Sequence, residues 1–371
     1  MSSAGQSFTA PGRVNLIGEH TDYTGGFVLP MAIEFATSGV IEPAPPNVAR
    51  FSSDLFGEDA TYDLANLPAH GRGHWSDYPA GVLWVLRQQG IDVPAFHLRL
   101  TGDVPLGSGL SSSASIEVAT AMALLHHADV SLPGTEIATL CRRAENDFVG
   151  GTVGIMDQFV SVFGRAGHAV LLDCRSLAYE YLPLPPSVSV VICNSMVKHS
   201  VAHGAYGNRN GEVMAGQAVL VRERPGISSL RDATLADLDA CRSLMAPESF
   251  CRCRHIITEN DRVQHARTAL LAGDLAEFGR LMVQAHSSFR DDFEASCPEI
   301  DTLVEIARTL PGCFGARITG GGFGGCTVNI VAADQAETFR HALIAQYKTA
   351  LNIEAESYIS RAADGALARS A

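Results

Sequence analysis

VPLGSGLSSSAS, residues 104–115, places Gly107 and Gly109 ahead of Ser111, Ser112 and Ser113, and these serines open an apolar helix carrying Ile116, Val118, Met122 and Leu125. Glycines let main-chain N–H groups converge on one anion, a helix N-terminus adds partial positive charge, and hydroxyls reach phosphate oxygens or a divalent cation. No lysine follows in the P-loop position, so the string is not a Walker A motif. On local pattern alone, a glycine-containing turn with a serine helix cap reads it equally well.

The rest of the chain has to be consistent with a phosphate site. At 371 residues it is longer than one hydrophobic core usually grows, so two domains with a cleft between them are expected. Hydrophobic residues make up 46% and charged residues 18%, which suits a globular core. Net charge is −13, from 27 basic and 40 acidic residues, and no Lys/Arg run tracks a phosphate backbone or an anionic bilayer. Nucleic-acid and membrane partners are therefore not expected, and a bound nucleotide has to be neutralised locally, by main-chain N–H groups, a few placed cations or Mg²⁺.

The opening residues MSSAGQSFTAPGR lack a basic region followed by an apolar stretch, and no apolar run reaches roughly 18 residues, so a cytoplasmic location is expected. Nine irregularly spaced cysteines fit reduced thiols. Cys251, Cys253 and His255 come nearest to a metal cluster, but their alternating spacing lies in a segment with helical periodicity.

Three more strings stand out. GRVNLIGEHTDY (12–23) runs from Arg13 through an apolar strand-like stretch to Glu19, His20 and Asp22. Carboxylates accept hydrogen bonds from hydroxyl-rich ligands, although a solvated charged turn has the same composition. GGTVGIMDQF (150–159) puts Asp157 after a glycine-rich bend, with Glu145 one helix earlier, so both carboxylates can face one cleft or simply start a helix and decorate a surface. TGGGFGG (319–325) contains GxGxxG at Gly320, Gly322 and Gly325, but Cys326–Ile330 after it reads as a strand, which disfavours a dinucleotide fold and its NAD chemistry. A tight strand-to-strand turn whose bare backbone approaches a neighbour or a phosphate remains.

Around these strings the periodicity alternates. Extended runs at Phe96–Leu100 and Val170–Leu172 surround helices near 112–127, 135–149 and 155–163. Leu182-Pro183-Leu184-Pro185-Pro186 is expected to interrupt any ladder and to mark a domain connection near 185. Beyond it come a strand from Val188 to Cys193, helices near 206–222, 253–272, 274–289 and 298–309, the glycine turn, and a closing helix and strand.

In order and separation, GRVNLIGEHTDY, PLGSGLSSSAS, GIMDQF and TGGGFGG resemble the motifs of the galactokinases in the GHMP small-molecule kinase family, from residue 8 to about residue 360. The resemblance implies an α+β fold of two domains: residues 1–185, similar to the second domain of ribosomal protein S5, and residues 186–371, ferredoxin-like. It implies a monomer that uses ATP and Mg²⁺ to phosphorylate the C1 hydroxyl of galactose in the interdomain cleft.

Residue by residue, it implies that Glu19, His20, Asp22, Gly154 and Tyr206 hold the sugar, and that Gly107, Ser108, Gly109, Leu110, Ser111, Ser112 and Ser113 wrap the ATP phosphates. The resemblance also implies that Ser113 and Glu145 hold Mg²⁺, that Asp157 takes or orients the hydroxyl proton, and that Arg13 lowers the pKa of that carboxyl while offsetting phosphoryl charge. Departures are a short segment before the first motif, Ser108 where Ala is commoner, and Gly207, Asn208, Arg209 and Asn210 where the family has Asn, a variable residue and two Arg. A non-catalytic galactose and ATP sensor is disfavoured by the unbroken Ser111–Ser115 run with Arg13 and Asp157; a kinase for N-acetylgalactosamine or arabinose is the nearer rival.

Overall fold

The structure, a computed structural model, describes residues 6–198 and 202–369. The first half opens with β1 (Ser7–Asn15), β2 (Phe27–Val28), β3 (Pro30–Pro43), β4 (Val48–Ser53) and β5 (Glu58–Asp63), followed by α1 (Asp77–Gln88) and β6 (Phe96–Gly102). Five of these strands make one sheet in the order β1-β3-β6-β4-β5, antiparallel except between β4 and β6. α2 (Ser112–His127) lies against β1 and β3 and is apolar nearly all round, so it is buried on all sides, with α1, α3 (Gly134–Arg143) and α4 (Met156–Phe163) packed around it. A wide π-helical turn, Ala144–Val149, links α3 to the loop before α4 and turns Glu145 inward.

β7 (His168–Asp173) and β8 (Tyr179–Pro183) join β2 in a small antiparallel sheet ordered β2-β7-β8. Here the proline-rich segment departs from expectation, because Leu182 and Pro183 continue the ladder opposite Ala169 and His168. β8 is an edge strand, where a missing N–H can face outward without costing a ladder bond.

The second half contains β9 (Val188–Lys198), α5 (Ala202–Glu223), α6 (Leu235–Ala240), α7 (Pro247–Ala272), α8 (Leu275–Asp291), α9 (Pro298–Thr309), β10 (Cys313–Thr319), β11 (Gly324–Ala332), α10 (Ala336–Leu351), β12 (Glu356–Ser360) and α11 (Ala366–Arg369). Its sheet runs β10-β11-β9-β12, all antiparallel, which is the β-α-β-β-α-β ferredoxin-like arrangement with five helices in the first crossover. α7 starts with Pro247 in its first turn and stops at Gly273 in the left-handed conformation; Asp274 then caps α8 by accepting from the Glu277 N–H at 2.9 Å.

One apolar cluster bolts the halves together: Leu16, Ile17, Leu29 and Met31 pack with Val190, Ile192, Val263 and Val328. The chain end also returns to the first half, with Ala363 N donating to Ala32 O at 3.0 Å and Gly365 N to Gly164 O at 2.8 Å. Among the described residues no helix is long and apolar enough to cross a membrane. Cys251, Cys253 and His255 lie on α7, and among the described residues no His, Cys, Asp or Glu group of three or more could hold a metal ion.

Candidate active site

Four turns converge on a cleft of about 400 Å³: residues after β1, the loop into α2, the bend before α4 and the β10–β11 hairpin. Arg13, Glu19, His20, Asp22, Gly107, Gly109, Ser111, Ser112, Ser113, Glu145, Gly154 and Asp157 line it. Four separate strings of the sequence thus meet at one place. Ser108 and Leu110 do not line the cleft. The Ser108 hydroxyl turns back to Pro105 O at 2.6 Å and Leu110 is buried in the core, so these two anchor the loop and offer the cleft only main chain. Tyr206 belongs to α5, but its side chain lies outside the described residues.

Arg13 and Asp157 form the centre. Arg13 Nε donates to Asp157 Oδ1 at 2.7 Å and Nη2 to Oδ2 at 2.5 Å, while Nη1 donates to Gly109 O at 2.7 Å. This two-point fork fixes the carboxylate plane, which a lysine cannot do. Ser111 sits at the start of α2 in the left-handed conformation (φ 60°) and does not cap the helix with its hydroxyl, which donates instead to Asp157 Oδ2 at 2.5 Å. The serine loop and the carboxylate are therefore one hydrogen-bonded unit.

Behind Asp157 stands a buried polar layer in which Glu145, expected from the sequence, is joined by Gln158 and Glu117, which the sequence reading does not single out. Gln158 Nε2 donates to Glu145 Oε2 at 2.7 Å and to Glu117 Oε2 at 3.0 Å. Burial, then the neighbouring Asp157 charge, pushes the Glu145 carboxyl up to about 7, while Ser113 hydrogen-bonds it. Burial and the Glu145 charge push Glu117 well above the ordinary range. Glu117 follows the serines by one helical turn inside an apolar run, and only that lone charge could have flagged it.

The other wall is made by Glu19, His20 and Asp22. Glu19 is 2% exposed; its Oε1 accepts from Gly320 N at 3.0 Å and from Arg317 Nη1 at 3.2 Å, tying the turn after β1 to the β10–β11 hairpin. Arg317, also unflagged, lies in the continuously buried part of β10 and is itself fully buried. His20 has φ 62° and packs against Phe289 and Phe293; burial drops its pKa to about 4, so the ring is neutral. Burial, then the Asp157 charge, lifts Asp22 to about 7. Gly154 is in contact with Asp22 and leaves no room there for a side chain.

The glycine hairpin closes the cleft from the second half. Gly320 has φ 90°, and a Cβ on it would lie 3.3 Å from Gly109 O; a Cβ on Gly325 would lie 3.2 Å from Ser108 O. The bare backbone of the hairpin thus packs on the loop into α2, the close approach expected of that string.

Comparison with known proteins agrees with this arrangement. The profile described as GHMP kinases N terminal domain matches residues 77–165, Galactokinase galactose-binding signature matches 2–43, and GHMP kinases C terminal matches 266–349. A galactokinase of Roseiflexus sp. (strain RS-1) is 45% identical over 357 residues, covering 96% of this chain and 91% of the relative. A galactokinase of Homo sapiens is 43% identical over 366 residues, with the same two coverages. The crystal structure of Lactococcus lactis galactokinase complexed with galactose superposes with a TM-score of 0.92 at 34% identity, covering 97% of this chain and 94% of that one. Methanococcus jannaschii mevalonate kinase, 18% identical with a TM-score of 0.70 over 98% of this chain and all of its own, shares the fold.

Proposed function

The chain belongs to the galactokinases of the GHMP kinase family, and from that premise we infer that it transfers the γ-phosphoryl group of ATP to the C1 hydroxyl of D-galactose, giving galactose 1-phosphate and ADP. The observation that carries the reading is the Arg13–Asp157 fork at the meeting point of the serine loop and the Glu19–Asp22 turn.

Asp157 accepts a hydrogen bond from the C1 hydroxyl and orients its oxygen in line with the γ-phosphorus. With Arg13 on both its oxygens, its first task is positioning, since a loose phosphoryl transition state asks more for alignment and charge stabilisation than for a strong nucleophile. Arg13 offsets the charge that develops on the transferring group. The main-chain N–H groups of residues 107–113 and the N-terminus of α2 receive the phosphates, which answers the neutralisation demand of an acidic chain. Glu19, His20, Asp22 and Gly154, with Tyr206, make the sugar subsite.

Ser113 and Glu145 suit a magnesium ion that ATP brings with it. A buried carboxylate destabilised by its surroundings, next to a hydroxyl, is an oxygen donor set that would suit such a hard cation. Held there, magnesium would supply charge neutralisation to the phosphates. Ser113 and Gln158 orient the Glu145 carboxylate for it.

The division of the chain at 185/186 is supported by the start of the ferredoxin-like sheet at Val188, with the last residues returning to the first half. A monomer in the cytoplasm is the state we propose, as the resemblance to the galactokinases leads one to expect.

The test is ADP release with MgATP and a panel of galactose, N-acetylgalactosamine, glucose, arabinose and mevalonate, with the phosphorylated position read by NMR. Turnover at C1 of galactose supports the reading. Preference for another sugar moves the specificity, and saturable galactose binding without ADP release makes the protein a sensor.

A further inference from the structure

Both ends of the segment that carries Glu19 and Asp22 are pinned from behind by one face of α7. At the entry, Gly18 N donates to Glu259 Oε1 at 2.8 Å and Glu19 N approaches the same oxygen at 3.4 Å. Glu259 Oε2 accepts from Arg262 Nε at 2.6 Å. One helical turn earlier, His255 shares a hydrogen bond with Ser288 Oγ at 2.9 Å through Nδ1 and donates from Nε2 to Glu19 O at 3.3 Å. At the exit, Asn260 Oδ1 accepts from Phe27 N at 2.9 Å while its Nδ2 donates to Ile256 O at 2.9 Å.

The contact is close as well as polar. Gly18 has φ 102°, and a Cβ on it would meet Phe27 O at 2.7 Å and Val263 Cγ2 at 3.0 Å. Glu259 is fully buried, as is His255. Burial alone would raise the Glu259 pKa, but Arg262 and its other partners hold it down to about 2, so it stays a carboxylate; burial drops His255 to about 3, so it stays neutral. A buried carboxylate shared by two main-chain N–H groups makes a charge-assisted clamp. None of these α7 residues lines the cleft.

We propose that Glu259, supported by His255 and Asn260, is the positioning residue of the sugar subsite, holding the Gly18–Phe27 segment so that Glu19 and Asp22 meet the sugar hydroxyls in register. The proposal rests on the reading of that segment as the galactose subsite. Helix α7 then contributes to sugar recognition without touching sugar. The Ser111–Asp157 unit hangs on the first half and is independent of α7.

The test uses the full chain with Glu259→Gln, which keeps side-chain volume and removes the charge, and with Asn260→Ala, which removes the acceptor at the far end. Galactose and a non-hydrolysable ATP analogue are titrated separately by calorimetry, and folding is checked by circular dichroism and thermal melting. The expected result is a galactose dissociation constant raised about tenfold or more in each variant, with that of the ATP analogue within about twofold of wild type. If Glu259→Gln does not fold, Asn260→Ala carries the same test. Unchanged galactose affinity in a folded variant, or equal losses for both ligands, overturns the proposal. Wild-type protein that binds no galactose sinks the sugar reading and the proposal with it, whereas wild-type binding retained in the variants sinks the proposal alone.

Discussion

A Cβ placed on Gly154 would fall 1.9 Å from Oδ2 of Asp22. The bend before α4 therefore presses its bare backbone onto the cleft wall that carries Asp22, and the position of Asp22 depends on a residue far away in sequence having no side chain.

Gly154→Ala is expected to push Asp22 off its position, because overpacking by one methyl costs about 1–3 kcal/mol unless the neighbour moves. Steady-state kinetics should show KM for galactose raised about tenfold or more, with KM for ATP little changed. Unaltered galactose KM would show that Asp22 does not depend on this contact.

Asp157→Ala should lower kcat by about 10²–10⁴-fold while leaving binding of an ATP analogue nearly intact. Arg13→Lys keeps the charge but loses the fork to both Asp157 oxygens, and kcat should fall about 10²-fold. Glu19→Ala is expected chiefly to weaken sugar binding. Unchanged turnover in the Asp157 variant refutes its assignment.

If Asp22 holds the sugar as proposed, its elevation to about 7 is expected to couple sugar binding to protons. Its folded pKa lies above the ordinary carboxylate value of 3.8, so protonation favours the free folded state. Its contribution to stability is complete below that ordinary value and is lost as pH rises through about 7. A carboxylate that accepts from sugar hydroxyls is favoured by the ionised form, so galactose affinity should rise with pH through about 7, and binding near that pH should release a proton. Calorimetry in buffers of different ionisation enthalpy measures the release, and Asp22→Asn should abolish it.

Gly320→Ala addresses the hairpin. At φ 90° an alanine is strained by about 1–2 kcal/mol, and its methyl would crowd Gly109 O. The expected outcome is a KM for ATP raised about tenfold with the melting temperature lowered by a few degrees, read from kinetics and a thermal scan. An ATP KM unaffected in the folded variant would mean that the hairpin does not shape the phosphate loop.

Much of the cleft was legible because its residue types are locally constrained. Gly107 and Gly109 adopt positive φ, Asp157 opens α4, and Glu19, His20 and Asp22 are crowded into one turn, so each string carries its chemistry in a few consecutive positions. At 320–325 the local pattern is equally legible, since the β-branched and apolar residues after the glycines form β11 where a dinucleotide fold needs a helix. Pro183 departs from the sequence expectation because a proline's effect depends on whether its strand lies at a sheet edge, which neighbouring residues do not reveal.

The sequence by itself determined the backbone conformations of the glycine loops, the apolar faces of the helices and the inventory of charged groups, all of which depend on residues a few positions apart. Only the tertiary structure decided that the Ser111 hydroxyl goes to Asp157, that Gln158 spans Glu117 and Glu145, and that Glu259 and Arg317 brace the turn bearing Glu19. Those pairings join residues tens to hundreds of positions apart. They form because burying a charge or an N–H is tolerable only beside a partner, and packing of the two halves across the Leu16–Val328 cluster settles which partner is within reach.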